Sequence, residues 1–155
     1  MSSDFEFLYG SWLVEHKRLK HRLAGRDEWE AFAGTCVVYP LLDGQANVDD
    51  NVLLAPSGTY RASSLRVSDP STGKWSIRWI DGRHPGSVEQ AVIGTFQDGI
   101  GTFYGKDTCN GEAVTVRFRW SDIHDDTATW QQAFSADSGK TWEANWIMIF
   151  RRALR

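Results

Sequence analysis

Acid–base chemistry needs a carboxylate and an imidazole close together in a pocket that shifts their pKa values. In this 155-residue sequence one pair suits that role, Asp49 as base and His16 as acid or orienting group. Asp49 lies in Asn47-Val48-Asp49-Asp50-Asn51. A strand here puts Asn47, Asp49 and Asn51 on one face and Val48 and Val52 on the other. Turned inward, that polar face would supply the few placed polar groups of an otherwise apolar pocket. Turned outward, it would be a solvated face over a valine core. The inward assignment is preferred, and a slip of one residue would reverse it. Arg66 could pair with Asp49 or hold a ligand carboxylate as a bidentate fork. Catalysis at this pair requires reach across a cavity, because the two residues fall on the first and third strands. A lone histidine on a strand is more commonly a hydrogen-bonded wall residue.

Other chemistries lack their motifs. The four histidines, His16, His21, His84 and His124, have no metal-ligand spacing, and His16 and His21 fall on opposite strand faces. The sequence has no HExxH, cysteine cluster or EF-hand loop, so no metal is expected. It has no GxGxxG, P-loop or nucleophile elbow either. Cys36 and Cys109 are isolated and read as free thiols of a reducing compartment.

The elements that position these residues are strands. Seventeen basic against 20 acidic residues give a formal charge of -3 and a pI of about 5.8, which argues against nucleic-acid binding. With 41% hydrophobic and 24% charged residues the composition is globular. The length suits one domain over 1–155. No apolar run approaches the ~20 residues of a membrane span. The acidic start MSSDFEF is unlike a secretory signal, and a cytoplasmic protein is expected.

Phe5, Phe7 and Leu8, followed by Gly10, read as a short helical turn that plugs something apolar. Ten alternating segments follow: 11–22, 29–39 ended by Pro40, 46–54, 59–68, 74–81, 88–96, 100–108, 113–120, 127–134 and 141–151. Turn signals separate them, the strongest being Asn110-Gly111. No segment shows a helical apolar period. Ten meandering strands are best satisfied by an all-β, antiparallel, up-and-down barrel, since closure removes exposed edges. Such a barrel is wider than the eight-stranded case that side chains fill, so a cavity is expected.

Eight tryptophans either line that cavity or cap the barrel ends. If Trp12 points inward, His16 and Arg18 do too. Trp79 shares a face with Asp81, and Trp130 with Gln132. Asn145 opposes Trp142 and Trp146, so both sets can face inward only with a β-bulge. Arg117 and Arg119 alternate with Phe118 and Trp120 and are read as facing water. The run Ser135-x-Asp137-x-Gly139-x-Thr141-Trp142 fits an Asp box. Its single copy is read as a structural hairpin rather than a propeller blade.

The opening from Phe5 to Trp12 resembles the G-x-W start of lipocalin-like, calycin-type barrels. It is followed by NVDDN (47–51), SLRVSDPSTGKWSIRWIDGR (64–83), FQDGIGTFYGKD (96–107), VRFRWSDI (116–123) and the Asp-box hairpin. Together these resemble an uncharacterised bacterial family of lipocalin-like proteins, distantly similar to fatty-acid-binding proteins and to the ten-stranded haem barrel nitrobindin. The resemblance implies a barrel closed at its base by the short turn and Trp12. It carries no activity. Nitrobindin's opening runs G-x-W-x-G-x-G, whereas Trp12 here is followed by Leu13, Val14 and Glu15.

Three functions are weighed. The first is a binding barrel for a small apolar or aromatic molecule, without a cofactor. Its ligand site comprises Trp12, His16, Arg18, Asn47, Asp49, Asn51, Arg66, Trp79, Trp130, Gln132, Asn145 and Trp146. The second is a cofactor-free cyclase, isomerase or lyase using Asp49 and His16. The third is a haem protein with His84 or His124 as axial ligand. A homodimer is a further expectation.

Overall fold

The computed structural model describes residues 3–87 and 89–153. Ten strands form: β1 (Gly10–Leu19), β2 (Trp29–Leu41), β3 (Ala46–Ala55), β4 (Gly58–Asp69), β5 (Lys74–Asp81), β6 (Val92–Gln97), β7 (Ile100–Cys109), β8 (Glu112–Ser121), β9 (Thr127–Ser135) and β10 (Glu143–Arg152). Each pairs with its chain neighbours, and β1 pairs antiparallel with β10, so the sheet closes on itself. The architecture is the all-β, ten-stranded antiparallel barrel that the alternation predicts. Helical structure among the described residues is limited to two three-residue 3-10 turns, Glu6–Leu8 and Leu42–Gly44.

The first of these turns carries Phe5 and Leu8 into the base of the barrel, where both are fully buried. Phe5 meets the edges of Trp75 and Phe96, with ring centroids 4.8 and 5.0 Å away. Burying such a side chain contributes about 1.5–3 kcal/mol. The Trp12 indole N–H donates to the Leu8 carbonyl at 2.8 Å. Arg152 lies 3.8 Å over the Trp12 ring and donates to the Phe7 and Tyr9 carbonyls. Three segments of the chain are thereby joined at this closed end: the turn, β1 and the end of β10.

Four boundaries differ from expectation. β1 stops at Leu19, and residues 20–25 turn across the open end. β2 continues through Pro40 to Leu41. Its pairing with β1 ends at Val38, so Pro40 has only β3 beside it, where a missing N–H is tolerated. β6 begins at Val92 rather than at Val88, which lies outside the described residues. Only three residue pairs join β5 to β6, ending at Ile77 and Val92. Above that point Gly82 still donates its backbone N–H to the Arg61 carbonyl, and Arg83 and Glu89 border the mouth. β10 begins at Glu143, because residues 135–142 are taken by the Asp-box turn.

That turn is built as the spacing predicts. The Asp137 carboxylate accepts from the backbone N–H groups of Lys140 and Thr141 at 3.0 and 2.8 Å and from the Thr141 hydroxyl at 2.6 Å. These bonds hold the carboxyl down at about 2, those from Thr141 contributing most. Gly139 takes the positive φ of +91° that the turn requires.

Candidate functional site

The two halves of the interior differ. The half nearest the plug is packed solid by Phe5, Leu8, Trp12, Trp75 and Phe103. The expectation of an interior too broad for its own side chains therefore holds for the open half alone. There a cavity of about 240 Å³ lies between Trp79, Trp130, Trp146 and Phe118. Its rim carries Tyr60, Arg18, Arg22, Arg83, Asp81, Glu89 and Asp107, with Gln132 on the wall. Trp146 meets Trp79 and Trp130 nearly edge to face, at 5.5 and 5.6 Å. Phe118 meets Trp130 at 5.0 Å.

A buried polar layer separates the halves. β3 turns Asn47, Asp49 and Asn51 inward, all nearly inaccessible to solvent, while Asp50 and Leu54 face out. Asp49 accepts from the Arg66 guanidinium at 2.6 Å, from the Asn51 amide at 2.7 Å and from the Ser64 backbone N–H at 2.6 Å. Arg66 also donates to Asn47 at 2.8 Å. Of the two roles open to Arg66, it takes the ion pair. A buried pair of this kind is costly to desolvate, and the accompanying hydrogen bonds offset that cost. A small void of about 20 Å³ touches Asp49, Asn51 and Arg66 and reaches Trp79 and Trp130 above.

His16 and Asp49 are both buried, but each is engaged elsewhere. His16 stacks parallel on Phe32, centroids 4.7 Å apart, and its Nδ1 accepts from the Trp146 indole N–H at 3.1 Å. Burial first, and the nearby Arg18 charge second, push the imidazole down to about 4. A neutral imidazole that accepts at Nδ1 carries its proton on Nε2. No hydrogen bond or ion pair joins His16 to Asp49 among the described residues, and Asp49 is already neutralised by Arg66. The expected Asp49–His16 pair is not assembled: Asp49 is held by Arg66, Asn51 and Ser64, and His16 by Trp146.

The remaining predicted residues divide. Arg18 stands at the rim, donating to Tyr60 at 2.7 Å and Glu30 at 3.1 Å and lying 5.0 Å over Trp146. Trp79, Trp130, Gln132 and Trp146 line the cavity. Trp12 does not; it belongs to the closed end. Asn145 stands behind Gln132, accepting its amide N–H at 2.8 Å. A register shift between Ala144 and Trp146 makes Asn145 and Trp146 both buried, the bulge that lets opposing faces turn inward. Trp142, before that bulge, lies outside the barrel against Arg117 at 4.5 Å. His84 sits on an exposed loop at the open end and His124 on one at the closed end, and neither lines the cavity. Among the described residues no cluster of three or more His, Cys, Asp or Glu could hold a metal. Cys36 is buried and Cys109 half-buried, both as free thiols.

Sequence reasoning did not single out Arg22, Tyr60, Arg83, Glu89, Asp107 or Phe118 for the site. Phe118 was legible, since it alternates with Val116 and Trp120. The charged rim was not, because Arg22, Arg83 and Glu89 stand in turns where strand alternation gives no direction.

No protein-family profile matches the chain, and no curated protein matches it. A solved structure does. The S-type phycobiliprotein lyase CPES from Guillardia theta superposes with a TM-score of 0.63 at 13% identity, over 97% of this chain and 91% of that one. The two proteins thus share a barrel fold. At that identity the likeness extends to the fold alone, so what the cavity holds rests on its own residues.

Proposed function

We propose that the open half of the barrel binds a small, planar aromatic molecule, and that the protein is a binding barrel. The observation that carries this reading is the cavity between Trp79, Trp130, Trp146 and Phe118. Three indoles and a phenyl ring offer faces and edges for stacking, and fixed aromatic walls lose little side-chain entropy when a ring enters. The indoles of Trp79 and Trp130 make no hydrogen bond among the described residues. At about 240 Å³ the space is below the ~300–1,000 Å³ typical of drug-sized ligands. One or two fused rings fit that scale. The structural neighbour is a lyase, but a cofactor-free reaction at Asp49 and His16 is the weaker reading because those residues are bonded to other partners.

The test is a titration of intrinsic tryptophan fluorescence with 2-naphthamide, a neutral planar probe. Saturable one-to-one quenching is expected, reduced at least about tenfold in affinity in Trp79→Ala, which removes a half-buried wall. Absence of saturable quenching in the unmodified protein rejects the reading.

A further inference from the structure

The arginines that reach the barrel interior or its mouth are not equivalent. Arg66 is bonded to Asp49 and Asn47. Arg18 is bonded to Glu30 and Tyr60. Arg83 forms a two-pronged pair with Asp81, at 3.1 and 2.7 Å. The half-buried Arg22 guanidinium, on the same cavity, makes no hydrogen bond or ion pair among the described residues. It lies 5.3 Å over the Phe134 ring.

Its backbone, by contrast, is fixed. Asn110, in the β7–β8 turn, donates its side-chain amide to the Arg22 carbonyl at 3.0 Å. The next residue, Leu23, donates its backbone N–H to the Glu143 carboxylate at 2.7 Å. The 20–25 turn is thus tied to the β7–β8 turn and to β10, and it holds a cation without a hydrogen bond or ion pair among the described residues at the entrance of an aromatic pocket. Desolvation, then the Arg18 charge, push the Arg22 guanidinium down from its usual value, so the charged form is less well solvated here than in water. Cys109, Glu89 and Asp107 offset part of that cost electrostatically, without a hydrogen bond or ion pair to Arg22 among the described residues. Asp107 is exposed, so its field is screened. Asp107 accepts from the Thr108 backbone N–H, and desolvation first and the Asp107 charge second push the Glu89 carboxyl up, against the opposing pull of Arg22.

We infer, on the reading that this cavity holds a planar aromatic molecule, that its ligand is an aromatic carboxylate whose anionic group is received by Arg22. The guanidinium fork matches a carboxylate bidentately, and the rings lie inward among the tryptophans.

The experiment compares three probes of one shape by calorimetry at pH 7: 2-naphthoate, 2-naphthamide and 2-naphthylmethylammonium. The acid is expected to bind about tenfold more tightly than the amide, the order of one charge-assisted pair. The ammonium is expected to bind most weakly. Arg22→Gln should abolish the acid's advantage while leaving amide affinity within about twofold, and Arg22→Lys should keep part of it. Asn110→Ala, which frees the turn, should reduce the advantage without removing the charge. Equal affinity for acid and amide, an advantage that survives Arg22→Gln, or tightest binding of the ammonium would each overturn the assignment of Arg22 while leaving the aromatic cavity standing. Failure of all three probes to bind would overturn the cavity reading and this assignment with it.

Discussion

Arg66 and Arg22 occupy the same barrel and have opposite circumstances. Arg66, in the polar layer between the halves, is inaccessible to solvent and held by Asp49 and Asn47. Arg22, at the mouth, has a fixed backbone and a side chain with no hydrogen bond or ion pair among the described residues. A buried charge with its partner in place contributes to a single folded arrangement. A half-buried charge without one contributes little to folding and is available to something that enters. The same contrast separates the closed half, where rings pack on rings, from the open half, where rings line a cavity.

Four measurements break or sharpen that contrast, beginning with the largest effect. Asp49→Ala strands the Arg66 charge, and urea unfolding should show a loss of about 3–5 kcal/mol. A loss below 1 kcal/mol would mean that the layer is not structurally important. Asp49→Asn, the natural test for a catalytic base, will for the same reason weaken the fold and should be read against a stability measurement.

The second effect is a pH dependence. His16 is pushed from its ordinary 6.5 down to about 4, so the unfolded chain binds a proton that the folded chain rejects. Its contribution is fully present above pH 6.5 and is lost as pH falls from there to about 4, by up to about 3 kcal/mol. Asp137, also depressed, loses its contribution in a separate lower window, between its ordinary 3.8 and about 2. Unfolding free energies from pH 7.5 to 4, compared with His16→Gln, isolate the first window. A slope that survives the substitution assigns it to another group.

Third, a Cβ at Gly34 would stand 2.5 Å from the Val52 carbonyl oxygen and 3.0 Å from His16 Nε2. Gly34→Ala should therefore cost about 1–3 kcal/mol in thermal or urea unfolding. A neutral result would show that the β2–β3 wall shifts freely. The smallest effect is Arg22→Gln. With no bond to lose, stability should stay within about 0.5 kcal/mol. A larger loss in urea unfolding would show that Arg22 is a structural residue after all.

Much of the fold was legible because alternation and turns agree along most of the chain. Asn110 and Gly111 show why: both have positive φ, 53° and 79°, as a tight hairpin of this type requires. The inward polar face of β3 was only half legible, because the same alternation also allowed it to face solvent over a core of Val48 and Val52. The bulge at Ala144–Trp146 was not, because one extra residue changes the facing of everything before it. The early end of β1 and the late start of β6 were not, because both depend on where neighbouring strands stop pairing. Those two departures create the mouth and place Arg22 there. The saturation of Asp49 was also hidden: the sequence brings Arg66 into range but leaves open whether its partner is Asp49 or a ligand.

The claim that the open half alone receives a ligand is tested most directly by the indole N–H signals in a proton–nitrogen correlation spectrum during titration with 2-naphthoate. The signals of Trp79, Trp130 and Trp146 should move together and saturate, while those of Trp12 and Trp75 at the closed end stay in place. Movement confined to the outward-facing Trp29 and Trp142, or no saturable movement at all, would contradict it.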